Sequence, residues 1–502
     1  MAISSLTNTS SLLSTLIQGR KDMDLLQRQL TTGKRADSYG GLDTAARVSV
    51  LSLRAETSAI AGYQTVIRDA SLRIEIAEQT LGRFDDIAHQ FKGDSFMDPF
   101  DLVDGQRTAL QKNAATTFEE VVGLLNQDIN GRQLFGGRQT DTPPAVSAKL
   151  MLQGDGTRAG LTQMIDERRQ ADLGASGLGR LAISAPAAAT VRLEETVAGM
   201  PFGFQIAGAT AEPSGVTLTG PAGAPKVLDV GFSATLPQAG EKIRVLLDLP
   251  DGSQEWLELK ATNSATPAAG EFTIGADAAT TAANFQTALQ SGVSKLASTS
   301  LTAASAIKAS QEFFAGSPSS PPLRVSGPPF DSATAQAAGT AANTVIWYQG
   351  DDGATPARQT ALAKIDDSLV VGYGMRANES AITNLLGKLA ALASMTFSAS
   401  DTNAADRYHA LGQRVGRALD YPAGVQSISD MRSELAGAHK AMENAATRHM
   451  TSSSLLEGLI GNQEQVSAEE VSVKLLALQT RLQATMETTA LLSNLSLVNF
   501  LR

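Results

Sequence analysis

Few residues in this chain have the type and spacing that catalysis or metal binding requires. Cysteine is absent, which excludes a thiolate nucleophile, disulfides and cysteine metal sites. No two histidines stand four residues apart, the spacing that puts two imidazoles on one helical face for zinc. The four histidines are His89, His409, His439 and His449. We expect His449 to be a buried helix histidine rather than a ligand or a base, because it falls in an apolar series.

Two short motifs resemble ligand-binding loops but lack their defining features. Residues 174–179 are rich in glycine, but the order differs from a dinucleotide-binding fingerprint, which favours a flexible loop. Asp351 and Asp352 lack the alternating acidic ligands of a calcium loop, so we expect a turn there. The sequence also contains no phosphate-binding loop and no nucleophile elbow. It therefore predicts no enzyme, no cofactor and no metal. The alternative is an enzyme or ligand binder carried by residues 180–360, for which no polar cluster is evident.

Length and charge narrow the class of protein further. A chain of 502 residues suits about three domains. With 41 basic and 51 acidic residues and no basic stripe, it is not expected to bind nucleic acid. No stretch approaches the ~20 apolar residues of a membrane span. The N-terminus lacks the basic and apolar regions of a cleaved secretory signal. The simplest expectation is a cytoplasmic protein, and the alternative is export by a dedicated apparatus.

Proline divides the chain into three parts. All 18 prolines except Pro99 and Pro422 lie between residues 143 and 356, and proline is excluded from helix interiors. We therefore predict a mainly α fold with an α+β insertion. Residues 1–150 and 379–502 form the two halves of a helical, coiled-coil stalk. Residues 151–378 form a variable, β-containing middle region of one or two subdomains.

Apolar residues recur every seven positions in both helical parts, which indicates coiled-coil seams. In the N-terminal part, a helix that ends at Gly93 carries the predicted seam residues Ile60, Ile67, Ile74, Leu81 and Phe84. In the C-terminal part they are Ile428, Leu435, Met442 and Leu456, and a parallel series extends through Ser452 and Leu459. Most such stripes form the interior of a helical bundle. Their position near both ends of the sequence favours a subunit that assembles.

Further amphipathic segments flank these seams. They carry the predicted assembly contacts Leu6, Leu13, Leu16, Met23, Leu492, Leu495, Val498 and Leu501. We expect the N-terminal and C-terminal members of this set to pack together. A terminal helix in a monomer has few neighbours to cover its apolar stripe, so its order depends on a partner.

The middle region carries strand and turn signals. Residues 242–249 and 254–260 flank the turn at Pro250–Gly252 and predict a β-hairpin. Further strands are predicted at 271–274 and 344–348. Two alanine-rich helices are expected near 280–296 and 303–314.

Several segments resemble the bacterial flagellin superfamily. Leu30-Thr-Thr-Gly-Lys-Arg35, followed by Gly41-Leu-Asp-Thr-Ala-Ala46, is similar to its N-terminal signature. Asn130-Gly-Arg-Gln-Leu-Phe-Gly-Gly-Arg-Gln-Thr-Asp-Thr-Pro-Pro144 resembles a segment of the hook–filament junction branch, hook-associated protein 3. The ending from Leu478 to Leu501 resembles the same branch, and Ile346-Trp-Tyr-Gln-Gly350 is similar to a strand and turn of its members.

This resemblance implies a structural, non-enzymatic subunit of the bacterial flagellum. Such a subunit joins hook to filament by self-assembly through its terminal helices. The alternative is a filament-forming flagellin, which the length favours. The implied partners are further copies of the chain, other flagellar axial proteins such as hook-associated proteins and flagellin, and an export chaperone. The implied location is extracellular, on the flagellum, after export through the flagellar type III apparatus without a cleaved signal peptide.

Overall fold

Along the sequence, long helices lie toward both ends of the chain, and the strands lie between them. The structure, a computed structural model, describes the backbone of residues 2–421 and 424–500 and the side chains of residues 11, 13–421 and 424–491. The helices are α1 (Ala2–Thr32), α2 (Thr44–Met97), α3 (Ala109–Leu125), α4 (Ala148–Gln153), α5 (Leu161–Leu173), α6 (Ala278–Leu296), α7 (Thr302–Phe314), α8 (Ser380–Ser394), α9 (Ala404–Ala418), α10 (Ile428–Glu464) and α11 (Ala468–Phe500).

The strands lie between the helical parts. They are β1 (Asp128–Ile129), β2 (Arg132–Gln133), β3 (Leu181–Ala187), β4 (Thr190–Glu195), β5 (Gln205–Ala211), β6 (Val216–Ala222), β7 (Val227–Phe232), β8 (Lys242–Asp248), β9 (Gln254–Thr262), β10 (Glu271–Thr273), β11 (Leu323–Val325), β12 (Gln336–Ala338), β13 (Leu362–Lys364) and β14 (Val370–Gly372). The predicted mainly α fold with a β-containing insertion is confirmed.

The chain forms two compact units. The first, the terminal unit, comprises Met1–Ala70, Ala363–Val371 and Lys440–Arg502. It holds α1, the beginning of α2, the β13–β14 hairpin, the end of α10, and α11. The second, the central unit, comprises Ser71–Leu362 and Gly372–His439 and holds the remaining elements.

Helix α2 ends later than the sequence indicates. We predicted an end at Gly93, but the helix continues to Met97 and stops just before Pro99. An interior glycine costs a helix only about 1 kcal/mol, and Phe91, two residues before Gly93, and Ser95, two residues after it, are both buried, so packing continues through the glycine. Proline, which cannot continue the hydrogen-bonding pattern, sets the boundary.

Two four-stranded sheets and α6 build the core of the insertion. One sheet has the order β3-β4-β7-β6 and the other β10-β9-β8-β5. The predicted hairpin is confirmed: Asp248 pairs with Gln254 and Lys242 with Lys260 in the antiparallel β8–β9 ladder. Strand β10 is also confirmed, and it pairs parallel to β9. Sequence reasoning missed β3 to β7. Four of them, β3, β5, β6 and β7, contain a glycine or a proline, residues that are depleted in strands and weaken the strand signal.

The predicted helices of the middle region are confirmed as α6 and α7, which a π-helical turn at Ala297–Leu301 connects. The strand predicted at 344–348 is wrong, because this segment makes only isolated bridges, from Thr344 to Ala159 and from Tyr348 to Ala145. Its aromatic side chains, Trp347 and Tyr348, are buried, and Trp347 packs against α7. The buried Trp347 ring lies 5.4 Å from that of Phe314, and its indole N–H donates to the Phe314 carbonyl at 3.0 Å.

Candidate assembly interface

Backbone hydrogen bonds tie two turns of the terminal unit together. Gly33 ends α1 with a φ of +67°, a conformation that glycine adopts without steric cost. Its carbonyl accepts from the Val466 N–H at 3.0 Å, and the Arg35 N–H donates to the Glu464 carbonyl at 2.7 Å. Between these bonds, Lys34 and Gln465 form an antiparallel bridge. The segment that resembles the flagellin signature is therefore the one that joins α1 to the α10–α11 turn.

A side-chain ion pair reinforces this junction. The Arg54 guanidinium donates from its NH2 group to both carboxylate oxygens of Glu464, at 2.9 Å each. The same guanidinium lies over the Tyr39 ring, 5.5 Å from its centroid. Because the Arg54 side chain is about half exposed, we expect this pair to contribute no more than about 1 kcal/mol. The backbone hydrogen bonds therefore contribute most of the attachment between the Gly33–Arg35 turn and the α10–α11 turn.

Helices α1 and α11 run antiparallel to each other. Gly33, at the end of α1, bonds to Val466 just before α11, and Gly19, earlier in α1, lies against Leu482, later in α11. A Cβ atom at position 19 would lie only 2.7 Å from Cδ2 of Leu482. A groove of about 480 Å³ runs beside this contact. It is lined by Ser14, Thr15, Gln18, Asp22, Leu478, Arg481 and Thr485.

The close approach at Gly19 gives a testable prediction. In Gly19→Leu the new side chain must enter the space that Leu482 fills, and overpacking of this kind costs about 1–3 kcal/mol. We expect faster amide hydrogen exchange in α1 and α11. Gly62→Leu in α2 is the matched control, since a Cβ there meets nothing within 4 Å. If both variants were equally protected, Gly19 would have no packing role.

Many apolar side chains of these helices face solvent. Of the predicted assembly contacts, Leu13 is 62% exposed, and Leu16 and Met23 are half-buried. The side chains of Leu6, Leu492, Leu495 and Val498, and Leu501 altogether, lie outside the described residues. Further exposed apolar side chains, which the sequence analysis did not single out as contacts, are Ile17, Leu25, Val473, Leu476 and Leu491. A surface this rich in apolar side chains is typical of protein–protein contact.

All nine predicted seam residues are buried in the structure. In the terminal unit they are Ile60, Ile67, Met442 and Leu456, and in the central unit Ile74, Leu81, Phe84, Ile428 and Leu435. Leucine and isoleucine at these positions each contribute about 1.5–3 kcal/mol through burial. At these nine positions the seven-residue pattern coincides with burial.

The second seven-residue series in α10, which runs through Ser452 and Leu459, no longer matches the buried positions near the end of the helix. We expected Ser452 and Leu459 inside, but Ser452 is exposed and Leu459 is 42% exposed. After Ala445 the covered positions are His449, Ser453, Leu456 and Ile460, so one four-residue step has been added to the pattern. An α-helix has 3.6 residues per turn, so a strict seven-residue repeat drifts around it, and a four-residue insertion restores the register.

His449 is a buried structural histidine, as predicted. Its Nε2 lies 2.7 Å from the Ile365 carbonyl, to which it donates, and its ring stacks on Tyr63 at 5.6 Å between centroids. Lys364 lies on the same Tyr63 ring, 6.0 Å from the centroid. These contacts fix the β13–β14 hairpin to α2 and α10 within the terminal unit.

In the central unit, the segments 130–144 and 346–350, which the sequence analysis singled out, contact each other. Ala145 bridges to Tyr348, and the Gln349 N–H donates to the Pro144 carbonyl at 2.8 Å. At the other end of the segment, Gly136 bridges to Arg376. Residues 130–146 are thus held by backbone bonds to 346–350 and 375–377, which are distant in sequence.

The described residues contain neither a cluster of possible metal ligands nor a helix suited to span a membrane. Among residues 2–421 and 424–500, no group of three or more histidine, aspartate or glutamate side chains is arranged to hold a metal ion. None of the helices in this range has the length and apolar character needed to cross a bilayer.

Comparison with known proteins identifies one matching region. Residues 3–140 match the bacterial flagellin N-terminal helical region. This range covers nearly all of α1, all of α2 and α3, and the segment Gly33–Arg35 that bonds to the α10–α11 turn. A search of curated proteins found no match. The match supports a relationship of this chain to the bacterial flagellin family. Members of that family are structural proteins that self-assemble into the axial structures of the flagellum.

Proposed function

We propose, from the match of residues 3–140 to the flagellin helical region, that this chain is a structural subunit of the bacterial flagellum and forms the junction between hook and filament. The flagellin-like helices support the subunit role, and the segment Asn130–Pro144 supports the junction role, because it resembles that branch. In this proposal residues 1–150 and 379–502 are the two halves of the stalk, and residues 151–378 are the variable middle region.

The exposed apolar side chains of the terminal unit support assembly through the end helices. Leu13, Ile17 and Leu476 are 62%, 50% and 63% exposed, so burial of the remaining surface by a neighbouring subunit would contribute about 1–2 kcal/mol each. In a monomer the exposed stripe of a long helix is stabilised by few tertiary contacts. Assembly would thus complete the order of α1 and α11.

The α1–α11 register refines the proposed contacts. The junction of Gly33 with Val466 and the contact of Gly19 with Leu482 define an antiparallel pairing. This pairing supports our proposal that the N-terminal contacts Leu6, Leu13 and Leu16 pack with the C-terminal contacts Leu492, Leu495, Val498 and Leu501. Because Leu13 is 62% exposed, we also assign it to contacts with a neighbouring subunit.

The proposed export route and partners follow from the same assignment. The subunit would leave the cell through the flagellar type III apparatus without a cleaved signal peptide. A chaperone would cover its C-terminal helix before export, and the hook, other hook-associated proteins and flagellin would be its neighbours afterwards. A chain without cysteine cannot become cross-linked by disulfides on that route.

Seeded polymerisation of the purified protein tests the proposal. With hook fragments as seeds, we expect short caps that stop growing, visible by electron microscopy. Long filaments would instead make the chain a filament flagellin, an alternative that the 502-residue length favours. A monomer with rigid, protease-resistant terminal helices would contradict both assignments.

Leu492→Asp is the variant that tests the terminal helices in this assay. We expect it to block assembly, because it would bury an unpaired charge in the contact, while the urea unfolding of the central unit stays unchanged. Leu323→Asp, at an exposed apolar position on β11 of the central unit, is the matched control and should assemble normally. Normal assembly by Leu492→Asp would rule out the proposed contact.

A further inference from the structure

The outer face of the β10-β9-β8-β5 sheet carries an exposed tryptophan. Trp256 of β9 is 50% exposed, although tryptophan is costly to leave in water and this chain has only two. Its neighbours in the sheet form one row across three strands: Trp256 pairs with Leu246 of β8, and Leu246 pairs with Gly208 of β5. A Cβ at position 208 would meet nothing within 4 Å. The row is therefore a narrow apolar platform that is open beside Gly208.

Polar pairs border this platform on both sides. On one side, the Arg244 Nε donates to Glu258 at 2.7 Å, across the same two strands. On the other side, the Gln254 amide donates to Asp248 at 2.8 Å. Alternate residues of a strand are about 7 Å apart, so each pair lies about that far from the Trp256 row. These positions are fixed by the β8–β9 register, in which both pairs stand directly opposite each other.

We propose that this face binds a neutral saccharide, with one sugar ring stacked on Trp256. A pyranose has an apolar C–H face, which suits the indole ring, and hydroxyl groups around its edge that both donate and accept hydrogen bonds. Arg244 and Gln254 supply donors at that edge, and Glu258 and Asp248 supply acceptors. Arg244 and Lys242, which both pair with Glu258 at 2.7 Å, balance the negative charges of Glu258 and Asp248, which favours a neutral ligand over an anionic one.

The size of the platform favours a sugar over a protein partner. A specific protein interface buries well over 1,000 Å² and has a continuous apolar centre. Here the apolar row is one residue wide, and an ion pair borders it on one side and a hydrogen-bonded amide–carboxylate pair on the other. A single ring covers such a row completely, and the preformed hydrogen bonds of the border lower the entropy lost on binding.

The intrinsic fluorescence of the full chain provides the first test. Trp347 is buried, so Trp256 is the exposed tryptophan whose emission responds to a ligand. The probes are cellopentaose, chitopentaose and mannopentaose, each titrated to millimolar concentration. We expect at least one to shift the emission to shorter wavelength in a saturable manner. If none of the three produces a saturable shift, the proposal is wrong.

Variants then locate the site, with affinity measured by calorimetry. Trp256→Ala should weaken binding at least tenfold, whereas Trp256→Tyr keeps an aromatic face and should retain most of it. Gly208→Gln places a side chain in the open end of the platform, at a backbone conformation that any residue adopts, and should also weaken binding. Leu323→Ala, at another exposed apolar position, should have no effect. Far-ultraviolet circular dichroism and urea unfolding confirm that each variant is folded.

Two further results would overturn the assignment. Binding that survives both Trp256→Ala and Gly208→Gln would place the sugar elsewhere on the chain. If the protein self-associates in sedimentation experiments and Trp256→Ala abolishes that association without any sugar effect, the face is a protein contact instead.

Discussion

Arg414→Ala is expected to lower the stability of the central unit by about 3–5 kcal/mol, the usual cost of removing one partner of a buried ion pair. The Arg414 guanidinium, on α9, donates to Asp251 at 3.0 Å and to Glu255 at 3.1 Å. The side chains of Arg414 and Asp251 are 6% and 5% exposed. The substitution would leave the Asp251 carboxylate buried without its cation. Urea unfolding of the full chain measures the loss.

The position of this ion pair explains the size of the effect. Asp251 lies in the β8–β9 turn of the inserted sheet, and its carboxylate already accepts from the Ser253 N–H and hydroxyl, at 3.0 and 2.6 Å. Arg414 therefore connects the insertion to the helical part of the same unit. Without it, the turn must either expose Asp251 or protonate it, and both changes cost free energy.

Two comparisons separate the ion pair from general effects on α9. Arg417→Ala, at an exposed position of the same helix, should change stability by no more than about 0.5 kcal/mol. The double variant Asp251→Ala/Arg414→Ala should lose less than the sum of the single variants, because it removes the uncompensated charge together with its partner. Purely additive losses would show that the pairing has no energetic consequence.

Lys388→Met, in contrast to Arg414→Ala, should increase the free energy of unfolding of the central unit, by up to about 3 kcal/mol at neutral pH. The Lys388 side chain on α8 is 1% exposed. No carboxylate within the described part of the chain forms an ion pair with it. Burial lowers the pKa of its ammonium from 10.5 to about 8, and the attraction of Asp251 offsets only part of that effect. Methionine has a similar shape and carries no charge to desolvate.

The pH dependence of unfolding distinguishes this cause from better packing. Below pH 8 both the folded and the unfolded chain hold the Lys388 proton, so the full penalty is present. Between about pH 8 and 10.5 the unfolded state binds more protons, so stability rises with pH, by about 2 kcal/mol between pH 7 and 9.5. Burial raises the pKa of Tyr348, Tyr408 and Tyr421 above 10. Above pH 10 the folded chain therefore binds more protons than the unfolded chain and stability falls, so the measurement is kept below pH 10.

The stability of Lys388→Met should therefore lack this rise. Lys149→Met, at an exposed position of α4, should follow the wild-type curve. If wild type and Lys388→Met gave parallel curves from pH 7 to 9.5, Lys388 would not be the group responsible.

The sequence predicted best where the pattern was local and repetitive. The seam residues from Ile60 to Leu81, the β8–β9 hairpin and the helices α6 and α7 all follow from periodicity and turn residues, because helices and hairpins are set by contacts between nearby positions. The same reasoning erred at Gly93 and Leu459. The glycine did not end α2, which continues until just before Pro99, and an added four-residue step changed which side of α10 is covered.

By itself, the sequence determined a mainly helical chain with a β-containing insertion, the positions of its buried seam residues and the similarity of its N-terminal helices to flagellin. Only the tertiary structure decided which distant groups meet: Gly33 with Val466, Arg414 with Asp251, and Gly208 with Trp256 through Leu246. Each of these contacts joins residues far apart in sequence or depends on sheet register. Such contacts leave no periodic signal, since their positions are set by how the elements pack rather than by the spacing of residues within one element.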